Sequence, residues 1–99
     1  MNRMAQECHE IAVKHGFYGS DGKTRNILEA LMLVNTELCE AAEHYREKEN
    51  WLPDFSEEMA DAIIRIFDLC SFLKMDIDKE VCSKIEKNKN RPFMHNKRC

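Results

Sequence analysis

Apolar residues recur along this chain every three or four positions, the period of an α-helix rather than the alternation of a strand. The clearest stripe, Ile27, Leu31, Val34, Leu38, Ala41 and Tyr45, predicts a helix over 24–49. A second stripe, Met59, Ile63, Ile66, Cys70 and Leu73, predicts a helix over 55–73. Ala60, Ala62, Ile64, Phe67 and Leu69 widen that stripe. The third helix is therefore apolar around most of its circumference and should be buried on several sides. Asn50-Trp51-Leu52-Pro53 breaks the two long helices apart, Asp54 offers an N-cap, and Glu57 three residues later completes a capping box. A shorter helix over 4–15 comes first and stops at Gly16; all three glycines then fall in the stretch 16–22, which reads as a loop. A last helix over 77–88 follows a turn at 74–76, with Asp76 or Asp78 as its cap. Arg91 precedes Pro92, and the residue before a proline is pushed out of helical geometry, so an irregular tail is expected from there on. The expectation is one all-α domain over 1–99, a bundle of about four helices.

Size and charge narrow the possibilities. A domain of 99 residues buries a modest fraction of its surface, and four helices can hardly cover the third one. Assembly into a homodimer or homotetramer is the expected way to complete the core. Apolar residues at 43% and charged residues at 33% are an ordinary globular mixture, without the signature of disorder. A net charge of −3 argues against nucleic acid as a partner, although the end of the chain is locally basic. No apolar run approaches the roughly 20 residues of a membrane span, and the N-terminal stretch lacks the continuous apolar core of a signal peptide. No membrane association and a cytoplasmic location are the expectations. Five cysteines with no Cys-x-x-Cys spacing support neither a zinc site nor a disulfide framework, and most are expected as small buried apolar residues.

The candidate chemistry sits on the two long helices. Glu37 and Glu40 are three apart on one, Glu58 and Asp61 three apart on the other, and residues at that spacing share a helix face. Leu33, Ala30 and Ala41 surround the first pair, and Glu58, Asp61, Arg65 and Asp68 form a narrow polar stripe on an apolar rod. Carboxylates among apolar groups lose hydration. At about 4 Å and an effective dielectric of about 20, each like-charged pair also costs roughly 4 kcal/mol. A hard divalent cation relieves both penalties, and an all-oxygen ligand set suits Mg²⁺ first and Mn²⁺ second. The plain alternative is that these are solvated faces of amphipathic helices. A di-iron bundle would require Glu-x-x-His, and none of His9, His15, His44 and His95 has a Glu three residues earlier.

Lys84, Asn88 and Arg91 recur at four and three residues near the end of the last helix. They can present a point charge, a neutral donor and a fork to a polyphosphate. They can equally be basic residues favoured by the helix dipole. Arg65 is within reach of phosphate too, but lies four residues after Asp61, the spacing of an intrahelical ion pair. Phe17, Tyr18 and Trp51 lie in or beside loops, either to stack a base or to plug the ends of the bundle.

The run ELCEAAE (37–43) followed by EEMADAIIRIFDL (57–69) resembles the Glu-x-x-Glu … Glu-x-x-Asp signature of the all-α nucleoside triphosphate pyrophosphohydrolases, and among them the short MazG-like proteins. HGFYG (15–19), RNILEALMLVNTELCEA (25–41) and KIEKNKNRPFMH (84–95) agree in order and spacing, so the likeness spans most of the chain. The resemblance implies a helical bundle assembled as a dimer or a dimer of dimers. It implies Mg²⁺ on Glu37, Glu40, Glu58 and Asp61, and hydrolysis of a (deoxy)nucleoside triphosphate to the monophosphate and pyrophosphate in nucleotide-pool cleansing. It implies phosphate contacts from Lys84 and Asn88, with Arg91 a weaker carry-over. Glu40, then Glu43, are the candidates for orienting the attacking water. Relatives often carry glycine in the turn where this chain has Lys74-Met75, and the ending Asn88-x-x-Arg91-Pro92 separates it from the phosphoribosyl-ATP pyrophosphatases. Two other readings compete: a non-catalytic helical module whose acidic stripe meets a basic partner, and a nucleic-acid binder acting through the basic tail.

Overall fold

The structure is a computed structural model in which residues 1–92 are described. Phe93, His95, Cys99 and the rest of the expected irregular tail lie outside the described residues. Four helices follow one another, α1 (Asn2–Lys14), α2 (Ile27–Glu47), α3 (Leu52–Phe72) and α4 (Ile77–Lys89), with no strand among the described residues. Among the described residues the fold is all-α, as the periodicity predicts, and no helix there is long and apolar enough to cross a membrane.

The helix ends show which local signals win. α1 closes in a left-handed turn: Gly16 has φ +87°, its N–H donates to the Val13 carbonyl, and the Phe17 N–H reaches back to Ala12. α3 ends in the same pattern, Lys74 N–H to Ser71 and Met75 N–H to Cys70, but there a lysine occupies the left-handed position at φ +59°. α2 starts later than its apolar pattern suggests, because Asn26 is the residue whose side chain caps it, accepting from the Glu29 N–H at 3.0 Å. α3 starts earlier, at Leu52, with Pro53 inside the first turn where its missing N–H does no harm. The expected Asp54 capping box does not form: Asp54 lies within the helix and is bonded to Lys48, the C-cap of α2. At α4 the cap is Asp76, whose carboxylate accepts from the Lys79 N–H, while Asp78 meets the N-terminal amine of Met1.

α3 is the central rod, packed by α1 on one side and α2 on the other, and α4 barely touches the other three. The buried positions are Ala5 and Cys8 on α1, Ala30, Glu37 and Ala41 on α2, and Ala62, Asp68, Leu69 and Cys70 on α3. Small side chains at these positions let the helices approach closely. The large apolar residues lie elsewhere. Leu31, Leu38 and Tyr45 of the α2 stripe are exposed, as are Ile63, Ile66 and Leu73 of the α3 stripe. Of the expected stripes, Ala41 and Cys70 are buried within one chain and the bulkier members are not. Within one chain, each long helix turns its small and polar face inward and leaves its bulky face outside. Cysteine placement is mixed too: Cys8 and Cys70 are buried and Cys39 and Cys82 exposed, all with free thiols.

Candidate functional site

The inward faces of α2 and α3 bring carboxylates together at mid-helix. Glu37, Glu40 and Glu58 each offer an oxygen within 4.8 Å of the other two. Glu37 is buried at 7% exposure, Glu58 is half-buried and Glu40 is exposed, so the cluster opens to solvent on one side. The Glu58 carboxyl is pushed up to about 7, first by its contact with the Glu40 carboxylate, then by burial and by Glu37, with His44 opposing. That direction is the mark of negative charge crowded into little water.

Asp61, the fourth expected member, is not part of this trio. It is exposed and lines a neighbouring cavity. Three residues of α-helix rotate a side chain by about 300°, so Asp61 is offset from Glu58 by about 60°, and its side chain is one methylene shorter. Glu43, the second candidate for orienting water, is exposed and paired with Arg46 one turn on. Arg65 does not form the expected intrahelical pair with Asp61. Its Nε donates across the helix interface to Glu37 Oε1 at 3.2 Å. This cation in the wall of the trio compensates the most buried of the three carboxylates.

Two histidines that the sequence reading weighed only as di-iron ligands, His9 and His44, belong to the site's surroundings. His44 Nε2 lies 3.2 Å from Glu58 Oε2. Its spacing carries the signal in retrospect, since His44 is four residues after Glu40 and seven after Glu37, on one helix face. His9 Nδ1 lies 3.0 Å from Asp68 Oδ1, which also accepts a 2.8 Å bond from the Tyr18 hydroxyl. Tyr18 is fully buried, edge-on to His9 and tilted against Phe72. Burial and the Asp68 bond push its hydroxyl well above the ordinary tyrosine range. Tyr18 is therefore a plug in the bundle and not a ring offered to a base. Trp51 packs between Tyr45 and Phe55 at the α2–α3 turn. Phe17 borders an open space.

That space is a cavity of about 170 Å³ where α1, the following loop, α2 and α3 meet. Cys8, Ile11, Ala12, Ala30 and Ile64 make its apolar wall, and His15, Arg25, Asp61, Arg65 and Asp68 supply its polar groups. Arg25 and Arg65 hold their guanidinium carbons 5.6 and 6.0 Å from the Phe17 ring centroid. Asp61 and Arg65 join the cavity to the carboxylate trio, because Asp61 follows Glu58 by one turn and Arg65 is bonded to Glu37. The expected phosphate ligands are not gathered here. Lys84 and Asn88 are exposed on α4 and Arg91 just beyond it, on the element that packs least against the rest.

No family model matches the chain, and neither a curated protein nor a solved structure matches it.

Proposed function

We propose that this chain is a magnesium-dependent nucleoside triphosphate pyrophosphohydrolase of the MazG-like all-α kind, releasing the monophosphate and pyrophosphate. The observation that carries the reading is the convergence of Glu37, Glu40 and Glu58 from two helices within 4.8 Å. Three carboxylate oxygens at this spacing suit a hard octahedral ion, whose ligand oxygens at about 2.1 Å stand about 3–4 Å apart, so a small closure completes the fit. The raised Glu58 carboxyl supports the same view, since a dication would favour its charged form. Glu37, Glu40 and Glu58 would hold the ion, with Asp61 at the rim as a further oxygen. A bound Mg²⁺ supplies Lewis-acid stabilisation of charge on the departing pyrophosphate.

The chain's own residues supply the remaining parts. Glu40, the most solvent-open of the trio, orients a water toward the α-phosphorus and accepts its proton. Glu43 is the weaker candidate because it is paired with Arg46. Arg65 holds Glu37 in place and faces the cavity beside the trio, where it can meet a phosphate oxygen. Phe17 borders the same cavity and offers one face to a base. Lys84, Asn88 and Arg91 are proposed to meet the outer phosphates from a second copy of the chain, because α4 lies apart from the trio within one chain. Self-association has its own support. Leu28, Leu31, Met32, Ile63, Ile64 and Ile66 are between 41% and 74% exposed on adjoining helices, far more than an apolar core would leave to water. A groove of about 580 Å³ lined by Ile27, Leu31, Val34, Ile66 and Leu73 runs between those faces. We propose a homodimer or homotetramer built on them.

Substitutions in the trio test the scheme. Glu40→Gln should remove turnover of nucleoside triphosphates while the circular dichroism spectrum stays helical. Asp61→Asn should lower turnover strongly without changing the fold. Full activity in both variants would defeat the assignment.

A further inference from the structure

Arg65 is tied to two different parts of the molecule. Its Nε donates to Glu37 Oε1 at 3.2 Å across the α2–α3 interface, and its guanidinium carbon lies 6.0 Å from the Phe17 ring centroid. The side chain of Arg65 is 31% exposed and that of Glu37 9% exposed, so the arm has room to move where the carboxylate has little. A carboxylate this far from water requires a positive partner. In this arrangement Arg65 is that partner.

Two cations on one carboxylate compete. A dication shared by Glu37, Glu40 and Glu58 would give Glu37 a larger countercharge than the guanidinium does, and it would repel that guanidinium at short range. The bond from Arg65 then has little charge left to neutralise. Phe17 offers the freed arm a second hold, because the face of an aromatic ring attracts a guanidinium, and Phe17 and Arg65 line the same cavity. An arginine that only braced its carboxylate would act in the opposite sense, since losing such an outer partner lowers metal affinity by about 10–100-fold.

We propose that Arg65 is an exchangeable counter-ion of the carboxylate trio: it neutralises Glu37 until a divalent cation binds there, and cation binding releases its guanidinium to the cavity wall, where an anionic group such as a phosphate can take it up. The inference rests on the reading of the trio as a metal site. It adds that cation loading and anion binding are linked through one side chain. Without an anion, Arg65 lowers the affinity of the trio for the cation. Its removal therefore tightens cation binding, whereas removal of a brace loosens it. A lysine keeps the charge, and with it the competition.

The test is calorimetric titration of the full chain with Mg²⁺ and with Mn²⁺, in the absence of nucleotide. Arg65→Gln should bind both ions about tenfold more tightly than the unsubstituted chain, and Arg65→Lys should stay within about threefold of it. Melting curves should agree, with a fixed Mn²⁺ concentration raising the Tm of Arg65→Gln by more than that of the unsubstituted chain. Proton–nitrogen NMR of the unsubstituted chain reads the exchange directly and decides the matter if Arg65→Gln does not fold. Its Arg65 Nε–H signal should move toward that of a free arginine as Mg²⁺ is added. Equal or weaker cation binding in Arg65→Gln, or an Nε–H signal that stays in place while Mg²⁺ binds, overturns the proposal and leaves the metal site standing. Failure of the unsubstituted chain to bind either ion overturns the proposal and the magnesium-dependent hydrolase reading together. Tighter binding in Arg65→Gln with no triphosphate cleaved by the unsubstituted chain ends the hydrolase reading and supports the counter-ion role.

Discussion

Glu58 is the residue on which the site's electrostatics turn. Its carboxyl is raised to about 7 in the folded chain, above the ordinary value of 4.5 it takes when unfolded. A group raised in this way binds more protons in the native state than in the unfolded one. Its stabilising contribution is fully present below pH 4.5 and is lost as pH rises through about 7. The metal-free chain should therefore melt at a lower temperature at pH 8 than at pH 6, and Mg²⁺ should recover the difference at pH 8. Thermal melts at the two values, with and without Mg²⁺, check this, and in Glu58→Gln both the pH step and the Mg²⁺ recovery should shrink. Sequence spacing identified Glu37, Glu40 and Glu58 as one constellation but could not separate Asp61 from it. The i, i+3 rule places two residues on a shared face and says nothing of the offset or the shorter side chain that turn Asp61 into the cavity.

At the scale of elements, helix existence was legible and helix edges were not. Thr24 and Asp54 are both good capping residues in sequence, yet Asn26 and Trp51 hold the N-cap positions. Asn26 caps α2 by accepting from the Glu29 N–H, and Asp54 is bonded to Lys48 instead of capping α3. The turn after α3 carries Lys74 and no glycine. Lys74 now explains why a glycine is suited there: at φ +59° a side chain crowds the backbone. Lys74→Gly should stabilise the chain by ~0.5–1 kcal/mol, read from urea unfolding, because the strain removed exceeds the added freedom of the unfolded state. Periodicity reports that a face is apolar, not which neighbour covers it. Ala30, Glu37 and Ala41 face α3 within the chain, while Leu31 and Leu38 face outward.

For the whole molecule, the exposed apolar faces of α2 and α3 are the surfaces on which the proposed assembly is tested. Light scattering on the full chain should give a mass that is a multiple of the 11.7 kDa protomer. Leu31→Glu should lower that multiple, and a monomer at all micromolar concentrations would remove the proposed role of α4 in the neighbouring site. The chemistry itself is decided by its products. Phosphorus NMR of a nucleoside triphosphate incubated with the chain and Mg²⁺ should show the monophosphate and pyrophosphate appearing together, with nothing formed when EDTA is present. Orthophosphate with the diphosphate, or an unchanged triphosphate spectrum, would contradict the account.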